Sequence, residues 1–81
     1  MHGSLYEDDE FKNFLRNIAW LRKANGLSKK KMAALLGVGV GTLNKIESGV
    51  FPPLLGVNVM HNIYIHFGIQ LKDQFTRLSE E

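Results

Sequence analysis

Eight cations occupy the stretch from Phe11 to Ile46 with no acid among them: Lys12, Arg16, Arg22, Lys23, Lys29, Lys30, Lys31 and Lys45. The acids all lie outside it, at Glu7, Asp8, Asp9, Glu10, Glu47, Asp73, Glu80 and Glu81. A net charge of only +2 conceals this asymmetry. A sustained positive segment flanked by acids reads as an electrostatic footprint for a polyanion; the plainer alternative is a solvated helix surface.

Other chemistries find little support. There is no cysteine, which excludes disulfides and thiolate metal sites. His2, His61 and His66 have no clustered carboxylate to complete a metal site. No carboxylate pair and no serine–histidine–acid set is present. The run Gly37-Val38-Gly39-Val40-Gly41 looks like a nucleotide loop but lacks the strand that must precede one. An enzyme, a cofactor and a small-molecule ligand are therefore not expected. No apolar run approaches the roughly 18 residues of a membrane span, and no secretory leader is legible, so a soluble cytoplasmic protein is expected.

The elements that must carry the cations are helical. With 44% hydrophobic residues in 81, the chain reads as one domain over 1–81, with its core at about 10–78 and short acidic ends. Ser4 and Glu7 have capping-box spacing. Phe11, Phe14, Leu15, Ile18 and Leu21 then form one apolar stripe, and Asn25-Gly26 ends a first helix of roughly 5–25. Trp20 lies off that stripe, as packing for a terminal segment or as a contact for a partner chain. Ser28 is a good N-cap for a second helix with Met32, Ala33, Leu35 and Leu36 inward. A third helix spans about Val40 to Ser48. Pro52-Pro53 forbids helix, and a fourth runs from about Val57 to Phe67 with Val57, Met60, Ile63, Tyr64 and Phe67 inward. Leu71, Phe75 and Leu78 mark a fifth. Nothing alternates with period two for long, so the expected class is all-α with five helices.

The second and third helices carry a motif. Two helices joined by a short turn and crossing at about 90–120° need a small residue mid-helix, and Ala33 supplies it. The turn needs a residue tolerant of positive φ, and Gly37 supplies that. Leu36, Leu43 and Ile46 provide the apolar contacts that lock the angle.

Asn25-Gly26-Leu27-Ser28, Met32-Ala33-Ala34-Leu35-Leu36-Gly37-Val38, Thr42 through Gly49 and Gly68 through Phe75 together resemble the XRE family of phage-repressor and Cro-like regulators. The resemblance covers about Ile18 to Phe75. It implies a five-helix DNA-binding domain acting as a symmetric homodimer, with the helix-turn-helix formed by helices 2 and 3 and helix 3 in the major groove. By that resemblance, bases would be met by Val40, Gly41, Asn44 and Lys45, and phosphates by Lys29, with Lys30 beside it, and by the region of Ser48. Arg22 and Glu47 would form an ion pair between helix 1 and the end of helix 3.

Three departures bear on function. The start of helix 3, Gly39-Val40-Gly41, has no base-reading polar side chain, since valine touches only a thymine methyl. Asn44, suited to adenine, and Lys45, suited to guanine, remain. Lys29 stands where relatives often have glutamine and still suits a phosphate. The loop Val50-Phe51-Pro52-Pro53-Leu54-Leu55 is apolar, and Val50, Phe51, Leu54 and Leu55 mark either a dimer interface or residues folded back on the core. The leading expectation is a transcriptional regulator whose partner is double-stranded DNA. The alternative is a protein-interaction module, antitoxin-like or an adaptor, with weakened base readout and a protein partner.

Overall fold

The computed structural model describes residues 3–50, 56–76 and 78, with side chains from Glu10 onward. Four helices follow in order, α1 (Gly3–Ala24), α2 (Lys29–Leu36), α3 (Val40–Glu47) and α4 (Val57–Phe67), then a 3-10 turn at Leu71–Phe75. The all-α expectation holds: no strand occurs among the described residues. The first helix is described from Gly3 to Ala24, a span that contains Ser4 and Glu7.

The helix ends follow from local chemistry. Ser28 Oγ accepts a hydrogen bond from the Lys31 backbone N–H at 3.1 Å and starts α2. Gly37, at φ 78°, ends it: its N–H donates to the Ala34 carbonyl and the Val38 N–H to that of Ala33. These two bonds are the Schellman closure, and they need the left-handed backbone that glycine tolerates. Asn62 Nδ2 donates to the Leu36 carbonyl at 2.9 Å, satisfying one more group at that end.

One core is formed by Phe14, Leu15, Ile18 and Leu21 of α1, Met32, Ala33 and Leu36 of α2, Leu43 and Ile46 of α3, and Val59 and Ile63 of α4. The first helix packs on α3 and the 3-10 turn, while α2 packs on α3 and α4. Phe75 stacks on Phe14 with ring centres 4.8 Å apart and meets Phe11 edge-on at 6.3 Å.

Several expected placements are corrected. In α4 the buried residues are Val59 and Ile63; Met60 and Phe67 are half-buried, and Val57 and Tyr64 are exposed. Most apolar residues of this helix cover about half its circumference, opposite Asn58, Asn62 and His66. That arc is wider than the core takes up, so periodicity alone does not choose which of them point inward. The fifth element is a single 3-10 turn, with Leu71 exposed. Its cause is a tertiary one. Asn17, buried on the inner side of α1, donates from Nδ2 to the carbonyls of Gln74 (2.9 Å) and Thr76 (2.5 Å), and its Oδ1 accepts from the Leu78 N–H (3.1 Å). These bonds take the place of the i→i+4 ladder that a continuing helix would have used. Gln74, also buried, donates from Nε2 to the carbonyls of Met60 and Ile69. Neither carboxamide was expected in the core, although Asn17 lies three residues from Phe14 and four from Leu21, on the stripe itself.

Candidate nucleic-acid interface

The inner side of α3 is fixed by Leu43 and Ile46, both essentially inaccessible to solvent. At 100° per residue, Gly41, Asn44, Lys45 and Ser48 then share the opposite side, and all four are exposed. Val40, 41% exposed, stands at the leading end of that face. The helix starts at Gly39 with no side-chain cap, so no capping side chain satisfies its first N–H groups.

The second helix contributes its first turn. Lys29, Lys30 and Lys31 are all exposed and lie at the positive end of the helix dipole with no acid among them. Cations there oppose the dipole, by about 0.3–1 kcal/mol each at low ionic strength. A local arrangement that works against its own helix marks a place where an external anion is expected. The three fan across about 200°, so they do not all address one surface.

Lys29 leaves the flank of its helix and reaches α3. Its Nζ donates to Asn44 Oδ1 at 2.9 Å. Two residues to which separate roles were assigned are thus one hydrogen-bonded unit spanning the two helices. No sequence signal indicates this contact between residues fifteen apart; it exists only once the turn at Gly37 sets the two helices against each other. Ser48 Oγ donates back to the Lys45 carbonyl at 3.0 Å. The two remaining cations of α2, Lys30 and Lys31, make no ion pair among the described residues.

The reading face is held from behind. Arg22 on α1 donates from Nε to Glu47 Oε2 at 2.5 Å and from Nη2 to Oε1 at 3.0 Å, the fork-on-carboxylate geometry that fixes orientation as well as charge. Its Nη1 donates to the Leu27 carbonyl at 3.1 Å. The ion pair anticipated for these positions is therefore present, and it joins α1, the α1–α2 loop and the end of α3. The hydrogen bond to Glu47 raises the Arg22 pKa above its already high value; burial opposes this, and the Glu47 charge reinforces it. Arg22 stays charged at any pH the fold survives.

Of the other candidates, Lys12 and Arg16 line an open cavity with Ile46, Glu47, Ser48 and Gly49 at the end of α3. Lys12, Arg16 and Lys23 lie on the solvent side of α1 with Trp20, which is 38% exposed. Val50 is 52% exposed, while Phe51, Leu54 and Leu55 lie outside the described residues. An open groove of about 630 Å³ runs beside α4 between Val57, Tyr64 and Leu71. No described helix is long and apolar enough to cross a membrane.

Residues 18–57 match the family model described as helix-turn-helix. No curated protein and no solved structure matches the chain. The matched stretch begins at Ile18 of α1, contains all of α2 and α3 and ends at the first residue of α4. Its turn glycine, its buried Ala33, its Leu43 and Ile46 anchors and the Arg22–Glu47 brace are the parts that hold two helices in this relation, and the chain belongs to the XRE-type helix-turn-helix family.

Proposed function

We propose that this chain is a transcriptional regulator that binds duplex DNA in the cytoplasm, as a homodimer, with α3 in the major groove. The observation that carries the reading is the exposed, acid-free first turn of α2 set against the exposed side of α3 by the Lys29–Asn44 contact. In this reading Lys30, the free N–H groups at the start of α2 and Ser48 meet phosphates. Lys29 adds the two donors that its bond to Asn44 leaves over. Asn44 and Lys45 meet base edges, and Val40 and Gly41 allow close approach of the backbone. The homodimer seam is assigned to Val50, Phe51, Leu54 and Leu55 together with the α4 groove, where Val57 (74% exposed), Tyr64 and Leu71 offer apolar surface.

The test is a titration of mixed-sequence duplex at several salt concentrations. Affinity should fall log-linearly with salt, and Lys30→Ala should flatten the slope by about one charge. Binding that is absent at every salt concentration sinks the DNA reading. The second reading, a protein-interaction module, then takes its place; it is favoured by the Gly39-Val40-Gly41 start of α3, which presents no polar side chain. Sedimentation addresses the dimer: a monomer at high micromolar concentration, with and without DNA, excludes it.

A further inference from the structure

Building on the DNA-binding reading, we infer that Lys29 sets the base preference of Asn44. Its ammonium beside Oδ1 leaves Asn44 facing the bases chiefly as a donor, so that position takes guanine, not adenine. A free asparagine reads adenine through two bonds at once, with Oδ1 accepting from N6 and Nδ2 donating to N7. Here Oδ1 already accepts from the Lys29 ammonium at 2.9 Å. The orientation of the carboxamide is dictated by chemistry: an ammonium and an amide NH₂ are both donors only, so the atom facing Nζ has to be the oxygen. Nδ2 has no partner among the described residues, and its donors remain for the groove.

The ammonium does more than occupy a lone pair. It places a positive charge beside the one side-chain acceptor facing the bases, and the exocyclic amino groups of adenine and cytosine are the positive edges of those bases. Guanine presents two acceptors, O6 and N7, and no donor, in the major groove. No side chain ahead of Asn44 on this face of α3 restores acceptor capacity: Gly39 and Gly41 have no side chain and Val40 is apolar. Lys45 is a cation, and Ser48 Oγ, which donates to the Lys45 carbonyl and keeps its lone pairs, lies four residues further along at the end of the helix. Lys29, with two donors to spare, Asn44 Nδ2 and Lys45 therefore form a patch whose complement is a guanine-bearing step.

The experiment is selection of bound sequences from a random duplex pool at low salt, for wild type, Asn44→Ala, Lys29→Met and Lys29→Arg. The position read by Asn44 is the one that Asn44→Ala randomises. Wild type and Lys29→Arg should enrich guanine there by roughly tenfold or more. Lys29→Met keeps the aliphatic stem, removes the ammonium, and should turn that preference to adenine. The side-chain amide resonances of Asn44 in the free protein should move in Lys29→Met and not in Lys30→Met, which tests the contact without DNA. Adenine at that position in wild type, or guanine unchanged in Lys29→Met, overturns the inference while leaving DNA binding intact. Equal binding of all duplexes also overturns it and keeps the DNA reading. Absence of binding to any duplex overturns both.

Discussion

A buried carboxamide has two donor hydrogens and an acceptor oxygen to satisfy, and Asn17 places all three on the C-terminal segment. Removing it leaves the carbonyls of Gln74 and Thr76 and the N–H of Leu78 to find other partners. Asn17→Ala should therefore cost roughly 2 kcal/mol or more in denaturant unfolding. Asn17→Asp is a sharper probe, because it has the same shape but turns an acceptor toward two carbonyl oxygens. At neutral pH it should be less stable than the alanine variant. Burial and the facing oxygens disfavour its charged form, so its folded pKa stands above the unfolded value of about 3.9. A group raised in this way is stabilising below the unfolded value and loses that contribution as pH rises through the folded one. The gap between Asn17→Asp and wild type should thus narrow from pH 7 toward pH 4; a gap that widens on acidification contradicts the clasp. A surface residue shows the opposite balance. Lys30→Glu puts a negative charge at the positive end of α2, so at low ionic strength it should raise stability by up to about 1 kcal/mol while weakening DNA binding. Stability and affinity moving together would mean that the lysine serves the fold and not an anion.

The four helices among the described residues are legible in the sequence because their ends are written in capping residues: Ser28, Gly26, Gly37, Gly49 and Gly68 fall where helices start and stop. Gly37 is the most consequential of them. An added Cβ there would sit in the left-handed region and 3.1 Å from Asn62 Nδ2, which is itself bonded to the Leu36 carbonyl. Gly37→Ala should cost at least about 1 kcal/mol and loosen the angle between α2 and α3. Gly41 makes the control, since nothing lies within 4 Å of its added Cβ and its backbone is helical. Gly41→Ala should stabilise by up to about 1 kcal/mol. If the two alanine variants show the same change in denaturation midpoint, glycine at the turn has no special role. What periodicity did not convey is set by tertiary bonding. The inward side of α4 depends on which of many apolar residues meets α2, and the 3-10 turn exists because Asn17 captures carbonyls that a helix would otherwise use. The candidate interface was legible residue by residue at Lys29, Asn44 and Lys45. Their coupling was not, because a hydrogen bond between two helix surfaces leaves no periodic trace.

At the scale of the whole molecule, the stretch that carries the family pattern and the unit that folds are different lengths of chain. The helix-turn-helix match covers residues 18–57, yet Phe14, Leu15, Val59 and Ile63, all under 5% exposed, lie outside it. Fully burying side chains of this size is worth about 1.5–3 kcal/mol each, so these four alone contribute roughly 6–12 kcal/mol. That is as large as the entire net stability of about 4–12 kcal/mol that 81 residues ordinarily reach. The match also omits Phe75, which stacks on Phe14, and both buried carboxamides, Asn17 and Gln74. The first helix and the C-terminal segment therefore close the core from two sides over the recognition pair, and neither is an appendage. A peptide of residues 18–57 should give a circular dichroism spectrum of largely unfolded chain at 25 °C and melt without a cooperative transition. Residues 1–81 should unfold in a single step, with the same midpoint by circular dichroism and by Trp20 fluorescence. A peptide of residues 10–78 should match the full chain, because it restores Phe14 and the Asn17 clasp. If the 18–57 peptide unfolds cooperatively at a midpoint near that of the full chain, the core is confined to the matched stretch and α1 and the C-terminal segment are decoration.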